Sequence, residues 1–191
     1  YEGRAAKVIL DNKKLEEIEA YYAVCAEDGA SDYQIEESKK ASANMTAILG
    51  DPDRLRALAI DFVHHYERRL EEGATLKGKA MFVCSKRDIA YAFFQEVIKL
   101  RPQWNEVLAS EEGVELTEQE QKTIKPIERI KMIMTRSKDD PKALYDLLGN
   151  KDDRKELDRQ FKNAKSNFKI AIVVDMWLTG FDVPFLDTMY I

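Results

Sequence analysis

Apolar positions recur along this chain in two rhythms. Over residues 51–73 they fall at steps of three and four, at Leu55, Leu58, Phe62, Tyr66 and Leu70. That spacing puts them on one face of a helix. Asp51 stands where an N-cap belongs, Pro52 suits the first helical position, and Gly73 ends the run. Leu15, Ile18 and Tyr22 share the spacing in KKLEEIEAYYAVCAEDG, which stops at Gly29. The next stretch, SDYQIEESKKASANMTAILG, is polar and alanine-rich and also reads as helix. Residues 1–75 are therefore predicted to be mainly helical.

From about residue 76 the rhythm changes. KAMFVC is a short, nearly continuous apolar run, as a strand buried on both faces requires. Ser85 follows as a candidate helix cap, with Asp88 three residues on where a capping-box acid would stand. The helix KRDIAYAFFQEVIKL carries Ile89, Phe93 and Val97 on one stripe and closes at Arg101-Pro102. Residues 103–127 read as a polar excursion, with a short helix starting at Thr117. RIKMIMT is a second strand, and Asp140-Pro141 opens a short helix ending near Gly149. RKELDRQF continues a helical pattern, KIAIVVD is a third strand running to Asp175, and DTMYI a fourth. Strands separated by helices imply crossovers and a parallel sheet, so residues 76–191 are predicted to be an α/β domain.

Composition narrows this only a little. Hydrophobic residues make up 45% and charged residues 34% of 191, which suffices for a core. No apolar run is long enough to span a bilayer, and the first residues lack the pattern of a signal peptide. Cys25 and Cys84 form no CxxC, so zinc is not expected and a reduced, cytoplasmic setting is the default. A formal net charge of −5 argues against strong DNA binding by this stretch alone. It leaves room for a few phosphate contacts on one face. Tyr1 in place of Met, and a last strand with nothing after it, read as a piece of a longer chain.

The candidate chemistry lies in residues 169–191, where a buried strand leads into a loop carrying Thr179, Gly180, Asp182 and Pro184. Ligands of open parallel sheets bind beyond the carboxyl ends of the strands. Gly180 permits a tight turn or close approach. Asp182 offers acceptors to ribose hydroxyls or an arginine, and Thr179 a hydroxyl and amide to a phosphate. A plain glycine turn with a helix-capping Asp182 fits the same spacing.

DMWLTGFDVP resembles motif V of superfamily 2 helicases and translocases, in the form seen in type I restriction enzyme R subunits. KAMFVCSKRDIAYAF resembles motif IV of the same lobe. YEGR at 1–4, RIKMIMTRSKDD at 129–140 and QFKNAKSNFKIAIVVD at 160–175 resemble R-subunit sequence in the same order. The resemblance implies a helical lead-in over 1–75 and, over 76–191, the second RecA-like lobe of an ATP-driven DNA motor, stopping before motif VI. It implies that Gly180 and Asp182 face the ATP cleft, with the aspartate near the ribose or the opposing lobe. Thr179 stands where RNA helicases often carry a basic residue, so an arginine contact there does not transfer.

By the same resemblance, Ser85 and Lys86 face the nucleic-acid backbone, where a helix N-terminus would favour an anion by about 0.3–1 kcal/mol. Ser85 reads equally as a simple N-cap. Thr135 and Arg136, at another strand end, are candidates for the same backbone. No GxxxxGK[ST] loop and no DExx-type pair occur, so no catalytic or metal-binding residue is assigned. ATP and magnesium belong to the parent motor, and this stretch alone is expected to bind neither tightly and to catalyse nothing. The partners implied are the first RecA-like lobe, double-stranded DNA, and modification and specificity subunits, with no membrane.

Other features read as structural. Asp139-Asp140 is expected to be solvated loop plus N-cap, and the glutamates of 111–120 a solvated surface. His64 and His65 are adjacent on a helix and cannot share a metal. Trp104 and Trp177 could stack a base, but packing is the simpler role, with Trp177 the better functional candidate. The rival to a motor lobe is a stand-alone α/β interaction or regulatory domain whose Gly-Asp loop is only structural.

Overall fold

The computed structural model describes residues 45–75, 78–178 and 182–191. The predicted helices before residue 45, and Cys25, lie outside them. The chain divides into two compact units, residues 1–58 and 59–191. In the first, Asp51 caps as expected: its carboxylate accepts the Arg54 N–H at 3.1 Å. Pro52 opens helix α1 (Pro52–Glu71). Gly73, with φ of +64°, lies just beyond its end.

The second unit is built on a four-stranded, all-parallel sheet: β1 (Lys79–Val83), β2 (Ile130–Ile133), β3 (Ile170–Val173) and β4 (Leu186–Tyr190). The order across the sheet is β2-β3-β1-β4. Between the strands run α2 (Arg87–Leu100), a 3-10 turn (Pro102–Asn105), α3 (Glu118–Thr123), α4 (Lys142–Leu148) and α5 (Lys151–Lys162). The α/β class and the four strands read from the sequence are thus present. β3 is flanked on both sides, and all four of its side chains are fully buried, which explains its unbroken apolar run. At the edge, β4 alternates between partly buried and exposed positions.

Successive residues of a strand face opposite sides of the sheet. Phe82 of β1 meets Phe93 of α2 at 4.0 Å between ring centres. Phe62 of α1 packs edge-on against Phe82, Phe93 and Tyr190 at 5.3, 5.6 and 4.9 Å. The neighbouring Met81 joins a different cluster with Ala171, Val173, Phe161 of α5, Phe168 and Val183. The stripe Ile89, Phe93, Val97 is buried as predicted.

Three local readings need correction. The N-cap of α2 is Lys86, in extended backbone, and no side chain caps it. Ser85 therefore lies one residue too early to cap, and Asp88 forms no box with it. The N-cap of α4 is Pro141, again without a side-chain cap. Asp140 is instead drawn away by the Arg87 guanidinium. Finally, β3 ends at Val173 because the chain turns immediately, with Asp175 and Trp177 at φ of 53° and 64°. Thr117 does start its helix, in a full capping box with Glu120.

At the amino end of the sheet lies a buried charged group that sequence patterning does not single out. Lys79 is fully buried and donates to the Phe168 carbonyl, with its nitrogen 5.2 Å from the centre of the Phe161 ring. Burial, with Lys169 and Arg129 nearby, lowers its pKa to about 6 against partial compensation from Glu111. At neutral pH the folded amine is uncharged while the unfolded one holds its proton. The unfolded state then binds more protons, so stability must rise with pH between about 6 and the ordinary lysine value. Equilibrium denaturation between pH 7 and 9 is expected to show that rise, by up to about 1.4 kcal/mol per pH unit from this group. In Lys79→Met the rise should flatten; an unchanged slope would mean Lys79 is charged when folded.

Candidate nucleic-acid interface at the strand exits

All four strands run the same way, so their carboxyl ends share one edge. The order β2-β3-β1 lines up three exits there: Thr135 and Arg136 after β2, Val174 to Leu178 after β3, and Ser85 and Lys86 after β1. The candidates from two distant stretches are thereby brought to one edge. Ser85, Lys86 and Thr135 are exposed, and Arg136 is partly exposed. Arg136 is also held in place. Its Nε donates to the Tyr145 carbonyl at 2.7 Å, and its guanidinium lies 4.4 Å from the centre of the Tyr145 ring.

Between these exits runs an ion pair absent from the sequence reading. Arg87, the first residue of α2, grips Asp140 with two nitrogens, Nε to Oδ1 at 3.2 Å and Nη2 to Oδ2. Arg87 follows β1 and Asp140 follows β2, so the pair links exits on either side of β3. Asp140 also accepts the Ser137 N–H at 2.7 Å. Its side chain is only 6% exposed. The Arg87 hydrogen bonds, then the Ser137 amide, hold its carboxyl below the usual range. Asp140 is thus neither a solvated loop residue nor an N-cap, because a bidentate arginine outcompetes the helix amides.

The charges along this edge are balanced. Lys86, Arg87, Arg136 and Lys138 stand among Asp88, Asp139, Asp140 and Asp175. Such an edge offers point contacts to phosphate rather than a basic patch.

The β3–β4 connection carries the remaining candidates. Thr179 and Gly180 lie outside the described residues. Asp182 is exposed, next to the buried Val183. No helix lies between Asp182 and β4, so it does not cap one. Because β4 is parallel to β1, this connection must return from the carboxyl to the amino end of the sheet. Val183 and Trp177 pack on the cluster beneath it, and Trp177 stacks on Phe161 at 5.4 Å between centres. Trp177 therefore has a packing role.

The remaining expectations divide. Trp104 is buried against Tyr66 and Phe62. His65 pairs its Nδ1 with the Tyr190 hydroxyl at 2.8 Å. No group of three or more His, Cys, Asp or Glu among the described residues could hold a metal ion. The glutamates of 111–120 are not all solvated surface. Glu111 pairs with Arg129 at 2.7 Å and Lys169 at 3.3 Å. Burial opposes its ionisation, yet those two cations hold its carboxyl below the usual range. Glu120 pairs with Lys165 at 2.8 Å.

Two substitutions should separate scaffold from surface. Phe161 is fully buried between Phe168 and Trp177, so Phe161→Ala is expected to lose about 3–5 kcal/mol. Asp182→Ala should stay within about 0.5 kcal/mol of the parent, as exposed positions do. Denaturant melts of both variants check this; a large loss at Asp182 would make it a structural residue.

Residues 76–191 match the family described as type I restriction enzyme subunit R domain 3. The chain is 34% identical over 161 residues to the type I restriction enzyme HindI endonuclease subunit of Haemophilus influenzae, a match covering 84% of this chain and 14% of that protein. It is 31% identical over 192 residues to a Methanocaldococcus jannaschii protein named as type I restriction enzyme MjaIXP endonuclease subunit, covering 100% of this chain and 16% of that one. The chain thus spans less than a fifth of the length of these relatives. No solved structure matches it.

Proposed function

The chain belongs to the type I restriction enzyme R subunit family, and from that membership we propose that it forms part of a RecA-like motor lobe whose strand exits grip the DNA backbone. The observation carrying this reading is the alignment of the Ser85–Lys86 and Thr135–Arg136 exits on one edge, with the Arg136 guanidinium fixed on Tyr145. Lys86 and Arg136 would supply point charges to successive phosphates, and Ser85 and Thr135 hydroxyl donors. Thr179 would add a hydroxyl on the β3–β4 connection. The balanced charge of the edge supports a grip that is weak enough to release, as a translocating motor needs.

In the same reading, the β3–β4 connection forms one wall of a cleft shared with a first RecA-like lobe. The fit to nucleotide is partial. Asp182 is a solvent-open carboxylate able to accept from ribose hydroxyls or an opposing arginine, with Gly180 two residues before it in sequence. The described residues bring no carboxylates together for magnesium. ATP, with magnesium, would supply the free energy for movement when bound, and its triphosphate would be held by the other lobe. Modification and specificity subunits would complete a cytoplasmic restriction assembly. No helix among the described residues is long and apolar enough to cross a membrane.

The test uses the full-length subunit. Asp182→Ala removes a charge-assisted contact worth about 1.5–3 kcal/mol, so DNA-stimulated ATP turnover should fall roughly ten- to a hundredfold. Lys86→Ala should weaken duplex DNA binding and lower the log–log salt slope by about one phosphate contact. The 191-residue chain alone should hydrolyse no ATP. Unchanged turnover and unchanged salt slope in the two variants would remove the motor reading of these residues.

A further inference from the structure

We propose that Arg87 and Asp140 are positioning residues that lock the two DNA-contacting exits into a single register, a role that rests on the DNA reading of Ser85, Lys86, Thr135 and Arg136. The β1 and β2 exits are not neighbours, because β3 lies between them. Main-chain pairing joins β1 to β3 and β2 to β3 and reaches one residue past the strands, where the Cys84 N–H donates to the Val173 carbonyl at 2.9 Å and the Val174 N–H to the Ile133 carbonyl at 3.5 Å. Beyond those residues each loop could drift separately. Backbone phosphates of one strand repeat at fixed spacing, so two loops that contact them together need a fixed separation.

The Arg87–Asp140 fork meets that need. Arg87 adjoins Lys86 and opens α2, so holding its guanidinium also holds the Lys86 end of the helix. Asp140 closes the loop that begins at Thr135, and its bond from the Ser137 N–H ties the middle of that loop to the same carboxylate. Arg136 is anchored separately to Tyr145 in α4, which starts two residues after Asp140. One shielded carboxylate thus joins α2, the β2 exit loop and the approach to α4. Two parallel N–H···O bonds fix orientation as well as distance, which a single point charge cannot do.

The pair is distinguishable from a mere stabiliser by the sign of a charge effect. Asp140→Asn removes a negative charge beside the proposed track, so electrostatics alone would tighten DNA binding. Loss of register would weaken it. Arg87→Lys keeps the net charge but replaces the fork by a point donor. In the full-length subunit, duplex DNA binding is measured across a salt series, with melting temperatures recorded in parallel. Both variants are expected to bind roughly tenfold more weakly at low salt and to lose about one phosphate contact from the salt slope, about 0.9 in log–log terms. The charge swap Arg87→Asp with Asp140→Arg should recover much of the loss.

If both variants melt lower but keep the parental affinity and slope, the pair only stabilises the fold and the proposal fails. Tighter binding by Asp140→Asn also overturns it. Should Asp140→Asn not fold, Arg87→Lys, which preserves charge, decides alone. Lys86→Ala separates the levels. If it weakens binding while the fork variants do not, only the positioning role is lost. If it changes nothing, the DNA reading beneath it fails, and this proposal with it.

Discussion

Strand β3 offers no polar side chain to either face, so both faces of the sheet must be covered. That single demand orders the rest of the 59–191 unit. One face is closed by Phe93 of α2 and by Phe62 from the second half of α1, meeting Phe82. The other is closed by α5 and by the β3–β4 connection, through Phe161, Trp177 and Val183. With β3 inside, β1 and β2 are forced to either side of it, and their exits come within reach of one side chain across the strand end. The position of the candidate interface is a consequence of the burial of four residues, Ile170 to Val173.

The two ends of the sheet solve their electrostatics differently. At the amino end, Lys79 and Lys169 are almost wholly buried, and Glu111 serves Lys169 and Arg129 together. Desolvation there, with Lys169 close by, lowers the Lys79 pKa to about 6. At the carboxyl end, exposed charges of both signs are interspersed, and the shielded carboxylate of Asp140 is matched by a bidentate partner. The first end is a closed structural arrangement and the second an open one, as a contact surface requires.

Much of this was legible in the sequence where a local rule was decisive. Continuous apolar runs marked the buried strands, and Asp51, Pro52 and Thr117 marked helix starts that are realised. The failures have two causes. Ser85 misses the cap by one residue, since Lys86 holds that position. Asp140 and Glu111 read locally as cap and solvated surface, while their settings are decided by groups far along the chain. Asp140 answers Arg87, 53 residues away. Glu111 answers Arg129 and Lys169, the residues just before β2 and β3. Nothing in residue spacing reveals such a pairing, because it exists only once the strand order is set. Asp182 is legible only as a loop carboxylate, and the structure leaves it exposed beside the buried Val183.

A motor that moves along DNA must hold it and let go within each cycle, and this bears on how such an edge should be built. A strongly basic surface would bind through counterion release and hold at every stage. A balanced edge binds only when its few donors face phosphates in correct spacing, so geometry, rather than net charge, governs affinity. Under the proposed function, rigidity between the two exits is then worth more than extra lysines, since each donor is effective only if its neighbour is in register. A bidentate pair across β3 provides that rigidity without adding net charge, because Arg87 and Asp140 cancel. The same feature lets any movement of α2 or of the β2 exit loop be felt at both contacts together, so that grip and release would act on the edge as a unit.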